Sequence, residues 1–136
     1  MQVNPYLAFD GTCAQAFKFY EQALGGKILM MMTVGESPMA AQATPETKNQ
    51  IMHAALQVGG VTVMGADAPS GMFSKPQGFS VSLGIDDEAE AERVFTNLSV
   101  GATIKMPLQE TFWAKKFGML IDKFGIPWMV NCAKPM

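Results

Sequence analysis

Between Thr12 and Gly26 apolar side chains recur at Ala16, Phe19, Tyr20, Ala23 and Leu24, the spacing of one buried helix face. Thr12 and Gln15 are spaced as a capping box that would open this helix, and Gly25-Gly26 closes it. Before it, Val3 to Phe9 is apolar and aromatic, with Pro5 suiting either an edge position or a strand's first residues. After it, Lys27 to Val34 reads as a second strand. Two further β-rich runs, Gln50–Val58 and Val61–Ala66, flank Gly59-Gly60 and predict a hairpin. The intervening Gly35–Asn49 has no period. At about fifteen residues it is long for a strand connection, so it reads as a lid or a mobile loop.

The pattern then recurs. Phe79–Ile85 is a strand, and Asp87 caps a helix with Glu90 in the capping-box position. Ala91, Val94, Phe95 and Leu98 form that helix's apolar face, and Gly101 ends it. A shift of 75 positions lays Ala16 on Ala91, Phe19 on Val94, Tyr20 on Phe95 and Gly26 on Gly101, while a shift of 65 lays Gly60 on Gly125 and Met64 on Met129. The final stretch, Gln109 to Asn131, predicts strands from Ala114 to Ile121 and from Pro127 to about Cys132, joined by an Asp122–Gly125 turn that Asp122 opens. Two βαβββ modules follow, an α+β fold: residues 1–68, a Pro, Ser and Gly-rich linker at 69–77, and 78–136, together one compact domain. One helix covers only one face of each sheet. The open faces are therefore expected to meet or enclose a ligand, giving a curved, half-open mixed-sheet cleft with flanking helices.

Composition narrows the function. With 49% apolar and 16% charged residues the chain has material for a core, and a net charge of −2 without a basic run gives no case for nucleic acid. No apolar run reaches membrane-helix length, and MQVNPYLAFD lacks the parts of a signal peptide, so a cytoplasmic protein is expected. Cys13 and Cys132 are too few for a disulfide framework. Cys13 sits at a helix start, where the dipole lowers a thiol's pKa, or is a small buried apolar residue. The twelve methionines are read as core.

Three segments, PYLAFDGTCAQAFKFYEQALGG near the start, GADAPSG at Gly65 to Gly71 and QETFWAKKFGMLIDKFGIPWMVN at the end, together with the repeat, resemble the PhnB-like branch of the vicinal oxygen chelate superfamily. This is the glyoxalase, bleomycin-resistance and ring-cleaving dioxygenase fold. The branch is also labelled 3-demethylubiquinone methyltransferase-like, but no Gly-rich nucleotide loop follows a first parallel strand here. The resemblance implies a ligand cleft, and in many relatives a homodimer with residues of both chains lining each cleft. Metal-bearing relatives take four ligands, two per half, usually His, Glu or Gln. The matching positions fall near Pro5, Met64, Ser80 and Met129, none a good divalent-metal ligand, and a small alignment error brings in only Tyr6 or Asp67. No metal and no cofactor are expected.

The candidate ligand contacts are His53, Gln109, Phe112, Trp113, Trp128 and Asn131. Trp113 and Trp128 suit a cavity lip because a buried indole needs a partner for its N–H. Gln109 and Asn131 are amides that can contact a ligand or pair with a sheet-edge backbone. His53, the one histidine, is a ligand contact, a general base or a structural strand residue. Chemistry, where there is any, would be lyase or isomerase work on a small oxygenated substrate. It would fall to His53 with a carboxylate, Glu110 or Asp67, whose plain reading is surface charge at a strand end. The favoured reading is metal-independent binding of a small, largely apolar or aromatic molecule.

Overall fold

The computed structural model describes residues 1–135 and contains two helices and eight strands, in the order β1 (Tyr6–Phe9), α1 (Cys13–Leu24), β2 (Lys27–Thr33), β3 (Ile51–Val58), β4 (Val61–Asp67), β5 (Val81–Gly84), α2 (Glu88–Leu98), β6 (Thr103–Gln109), β7 (Ala114–Ile121) and β8 (Pro127–Ala133). They form two four-stranded mixed sheets, β1-β4-β3-β2 and β5-β8-β7-β6, each with one parallel pair at the edge where its first strand lies. The chain divides into two compact units, Met1–Ser74 and the residues from Lys75 onward.

In the first unit α1 packs on β2, β3 and β4. Its buried residues are Cys13, Ala16, Phe17, Tyr20, Ala23 and Leu24. Phe17, rather than the expected Phe19, carries the aromatic contact, and Phe19 is half-buried. Phe17 and Phe19 lie on either flank of the apolar stripe, and Phe17 is the one that meets a strand gap. A Cβ added to Gly65 of β4 would lie 2.8 Å from the Phe17 ring, so the glycine is what admits that ring. The expected Thr12 cap also fails. Thr12 has φ −112° and ψ 12°, which is not the extended backbone of a capping residue, and its side chain makes no cap bond. Asp67, from the end of β4, takes its place and accepts the Cys13 N–H at 3.0 Å. The first strand starts at Tyr6 rather than Val3, although the Pro5 carbonyl already accepts from the Met64 N–H. Gly59, at φ 57°, turns the β3–β4 hairpin as expected.

The connection between β2 and β3 is built from two 3-10 turns, Val34–Glu36 and Ala40–Gln42. The first is opened by a reciprocal Thr33–Glu36 capping box.

In the second unit α2 packs on β7 and β8 through Ala91, Val94, Phe95 and Leu98, and Asp87 caps it by accepting the Glu90 N–H at 2.9 Å. Gly118 admits the Phe95 ring as Gly65 admits Phe17. The methionines depart from expectation. None of those described is fully buried, and Met30 is 41% exposed because β2 is an edge strand. Several lie instead on the sheet faces turned away from the helices. Met106, Met119 and Met129 lie in one cross-strand row of β6, β7 and β8, and Met30 and Met64 in another with Ala55 and Tyr6. No helix among the described residues is long and apolar enough to cross a membrane.

Candidate functional site

The face of the first sheet opposite α1 carries Tyr6 and Ala8 of β1, Met64 and Ala66 of β4, and His53 and Ala55 of β3. Ala8 pairs directly with Ala66, and two methyl groups where neighbouring rows hold Tyr6 and Met64 leave room above the sheet. A cavity of about 520 Å³ opens there, within the range of small-molecule sites. Tyr6, Ile51, Met52, Ala66, Pro69 and Met72 supply most of its apolar wall, while Thr47, Gln50 and Ser70 are neutral polar groups and Asp67 is the one charged residue in the lining. Val34 and Thr47 bring the β2–β3 connection, and Pro69 to Met72 bring the segment after β4, to its edge.

Asp67 is fixed from two sides. Its Oδ1 accepts the Cys13 N–H at 3.0 Å and its Oδ2 accepts the Ile51 N–H at 2.8 Å, so one side chain ties the start of α1 to the start of β3. Cys13 beside it is fully buried, and burial, with the Asp67 charge adding to it, pushes the thiol up to about 12. The helix dipole does not produce a reactive thiol here. Tyr6 is half-exposed, and desolvation holds its phenol above the ordinary value.

His53 is half-buried in β3, and its ring centroid lies 6.0 Å from that of Tyr6. The other candidates belong to the second unit. Gln109, Phe117, Asn131 and Gly84 are successive register partners across β6, β7, β8 and β5. Trp113 stacks edge-on against Phe117 at 5.2 Å and Phe112 against Trp113 at 4.8 Å. Phe112 is 89% exposed and Trp113 42%. The structure thus brings Gln109, Phe112, Trp113 and Asn131 into one neighbourhood. Asn131 Oδ1 is buried and has no hydrogen-bond partner among the described residues.

Trp128 lies on the other side of this sheet. It is 1% exposed, and its indole N–H donates to Asp122 Oδ2 at 2.8 Å, so the partner a buried indole requires comes from the adjacent turn. Glu110 is an exposed carboxylate paired with Lys134 at 2.9 Å, and that bond holds it below the usual carboxylate range. Sequence reasoning passed over Ala8, Ile51, Met52, Ala66 and Met72 as cavity wall. The signal available was the pair of alanines inside otherwise bulky strands.

The donor set does not suit a metal. Among the described residues no group of three or more His, Cys, Asp or Glu side chains is placed to hold an ion. Nor does a nucleotide-type methyl donor find a Gly-rich cradle. β1 joins α1 through Asp10-Gly11-Thr12, and β5 joins α2 through Ile85-Asp86-Asp87.

Two βαβββ units, each with a helix on one face of a four-stranded mixed sheet, define a protein of the vicinal oxygen chelate fold. A family model described as 3-demethylubiquinone-9 3-methyltransferase matches residues 1–131, and the chain belongs to that family, the PhnB-like one. It is 39% identical to Protein YjdN of Escherichia coli over 143 residues, covering 98% of this chain and 97% of that protein. Among solved structures it is similar to protein PA1353 from Pseudomonas aeruginosa, with 44% identity, a TM-score of 0.89 and 99% of each chain covered. The PhnB protein from Bacillus cereus follows at 26% identity and 0.80, covering 96% of this chain and 98% of that one. The fosfomycin resistance protein FosX from Listeria monocytogenes shares the fold alone, with a TM-score of 0.68 at 7% identity over 98% of this chain and 94% of that one.

Proposed function

We propose that this protein is a metal-independent binding protein for a small, largely apolar or aromatic molecule held in the first unit. The observation that carries this reading is the cavity of about 520 Å³ above the Ala8–Ala66 pair, walled by Tyr6, Ile51, Met52 and Met72. A wall of aromatic and thioether groups with a few neutral polar ones suits such a ligand. On this reading His53, which is not part of the cavity's lining, acts only through the Tyr6 ring beside it. The Phe112–Trp113–Phe117 row, with Gln109 and Asn131, offers a second apolar surface on the other unit. A thermal-shift screen of aromatic and aliphatic small molecules tests it. At a hundredfold excess over Kd a true ligand raises Tm by roughly 5–10 °C. Ala66→Trp, which fills the cavity, abolishes the shift. A shift that survives Ala66→Trp places binding elsewhere and overturns the reading, as does stoichiometric zinc, nickel, manganese or iron after purification without chelators.

A second reading, lyase or isomerase chemistry on a small oxygenated substrate, is favoured by the Tyr6–His53 pair on the face that bears the cavity. Turnover lost in His53→Ala would support it. Turnover untouched by that change removes His53 from any mechanism.

A further inference from the structure

We infer that the first unit's cavity selects organic cations: a protonated amine carried on an apolar or aromatic body. This inference deepens the binding role proposed for the cavity and rests on it. Asp67 is the one charged side chain in the lining, and no Lys, Arg or His joins it there. Its two hydrogen-bond partners, the Cys13 and Ile51 N–H groups, are uncharged backbone donors, and no Lys or Arg pairs with it among the described residues. A carboxylate has about four acceptor positions, so two bonds leave capacity for a ligand donor. The other walls tolerate positive charge. Tyr6 presents an aromatic ring, and Met52 and Met72 are polarisable thioethers.

The same geometry works against anions. The N-terminus of a helix is a natural place for a phosphate or carboxylate, because its first amides are unpaired and the dipole is positive there. At α1 that place is already taken by the protein's own carboxylate, Asp67. An anionic ligand would meet like charge in an apolar cavity whose remaining polar groups, Thr47, Gln50 and Ser70, are all neutral.

Three probes of one shape and different charge separate the alternatives: 2-naphthylmethylamine, 2-naphthylmethanol and 2-naphthoate, titrated calorimetrically into the intact chain at pH 7 and low salt. The expected order is amine, alcohol, carboxylate, with about tenfold between the first and last. Asp67→Asn is expected to remove the amine's advantage and leave alcohol binding intact. Because Asp67 also holds two backbone amides, Ser70→Lys provides an arm that leaves those bonds alone. Ser70 is exposed at the cavity edge, and a lysine there is expected to weaken the amine about fivefold and to strengthen the carboxylate. Naphthoate binding as tightly as the amine, or an amine preference unchanged by Ser70→Lys, overturns the charge selectivity while leaving the cavity a binding site. No heat from any of the three means the binding role itself fails, and the selectivity with it.

Discussion

Asp122 shows how much one side chain can organise. It is 4% exposed, and its carboxylate accepts from the Phe124 N–H at 2.8 Å, the Ile126 N–H at 3.0 Å and the Trp128 indole at 2.8 Å. The turn role was readable from Asp-Lys-Phe-Gly, whereas the grip on Trp128 was not. Removing the carboxylate strands three donors, two of them in buried surroundings, so Asp122→Ala is expected to cost about 3 kcal/mol in urea unfolding. Asp122→Asn, which keeps an acceptor, should lose less. A loss under about 1 kcal/mol would mean that water replaces the carboxylate. Cys13 makes a prediction of pH dependence. Its thiol is raised from an ordinary value of 9.0 to about 12 in the fold. The folded state therefore keeps its proton where the unfolded chain releases it. The stability this represents is whole below pH 9 and is lost as pH climbs from there towards 12. The alkaline fall in denaturation midpoint should flatten in Cys13→Ala, measured against its own neutral-pH value, and native Cys13 should resist alkylation at pH 8.

At the scale of elements, each unit seats its helix by pressing an aromatic ring onto a strand glycine. A Cβ on Gly65 would lie 2.8 Å from both the Phe17 ring and the Leu7 carbonyl, and one on Gly118 would lie 2.6 Å from the Phe95 ring. Gly65→Ala and Gly118→Ala are each expected to destabilise by about 1–3 kcal/mol, because backbone and packed rings cannot yield cheaply. Gly60→Ala, with nothing within 4 Å, is the control and should be nearly neutral in the same melts. Equal losses at all three positions would overturn the contact account, since Gly→Ala by itself lowers the unfolded chain's entropy and does not destabilise. The helices were legible because a 3.6-residue period is a local signal, and the Gly59-Gly60 hairpin because turn chemistry is local too. What escaped the sequence depends on partners distant along the chain. The cap on α1 comes from Asp67, and the cavity floor comes from Ala8 meeting Ala66 across a parallel pair. The methionines were misread because hydrophobicity alone does not say which face of a strand an apolar residue occupies in a one-helix layer.

For the whole molecule the open question is what covers the exposed apolar surface, and we expect a second copy to do so. β1, β2, β5 and β6 are all edge strands, and their protection is unequal. β6 carries Pro107 and Lys105, features that discourage strand addition. β2, KILMMMT, has a single charge at its start and leaves Leu29 51% and Met30 41% exposed. Phe112, Met72 and Phe79 add exposed apolar groups at 89%, 70% and 54%. Surface of this kind is usually buried between identical chains related by a two-fold axis. Light scattering at micromolar concentration should therefore give twice the 14.7 kDa chain mass. Leu29→Lys with Met30→Lys, which charges the β2 edge without touching the core, should shift the mass towards a single chain if β2 lies in the contact. A wild-type mass of one chain, unchanged on concentration, would show that the protein tolerates these edges alone.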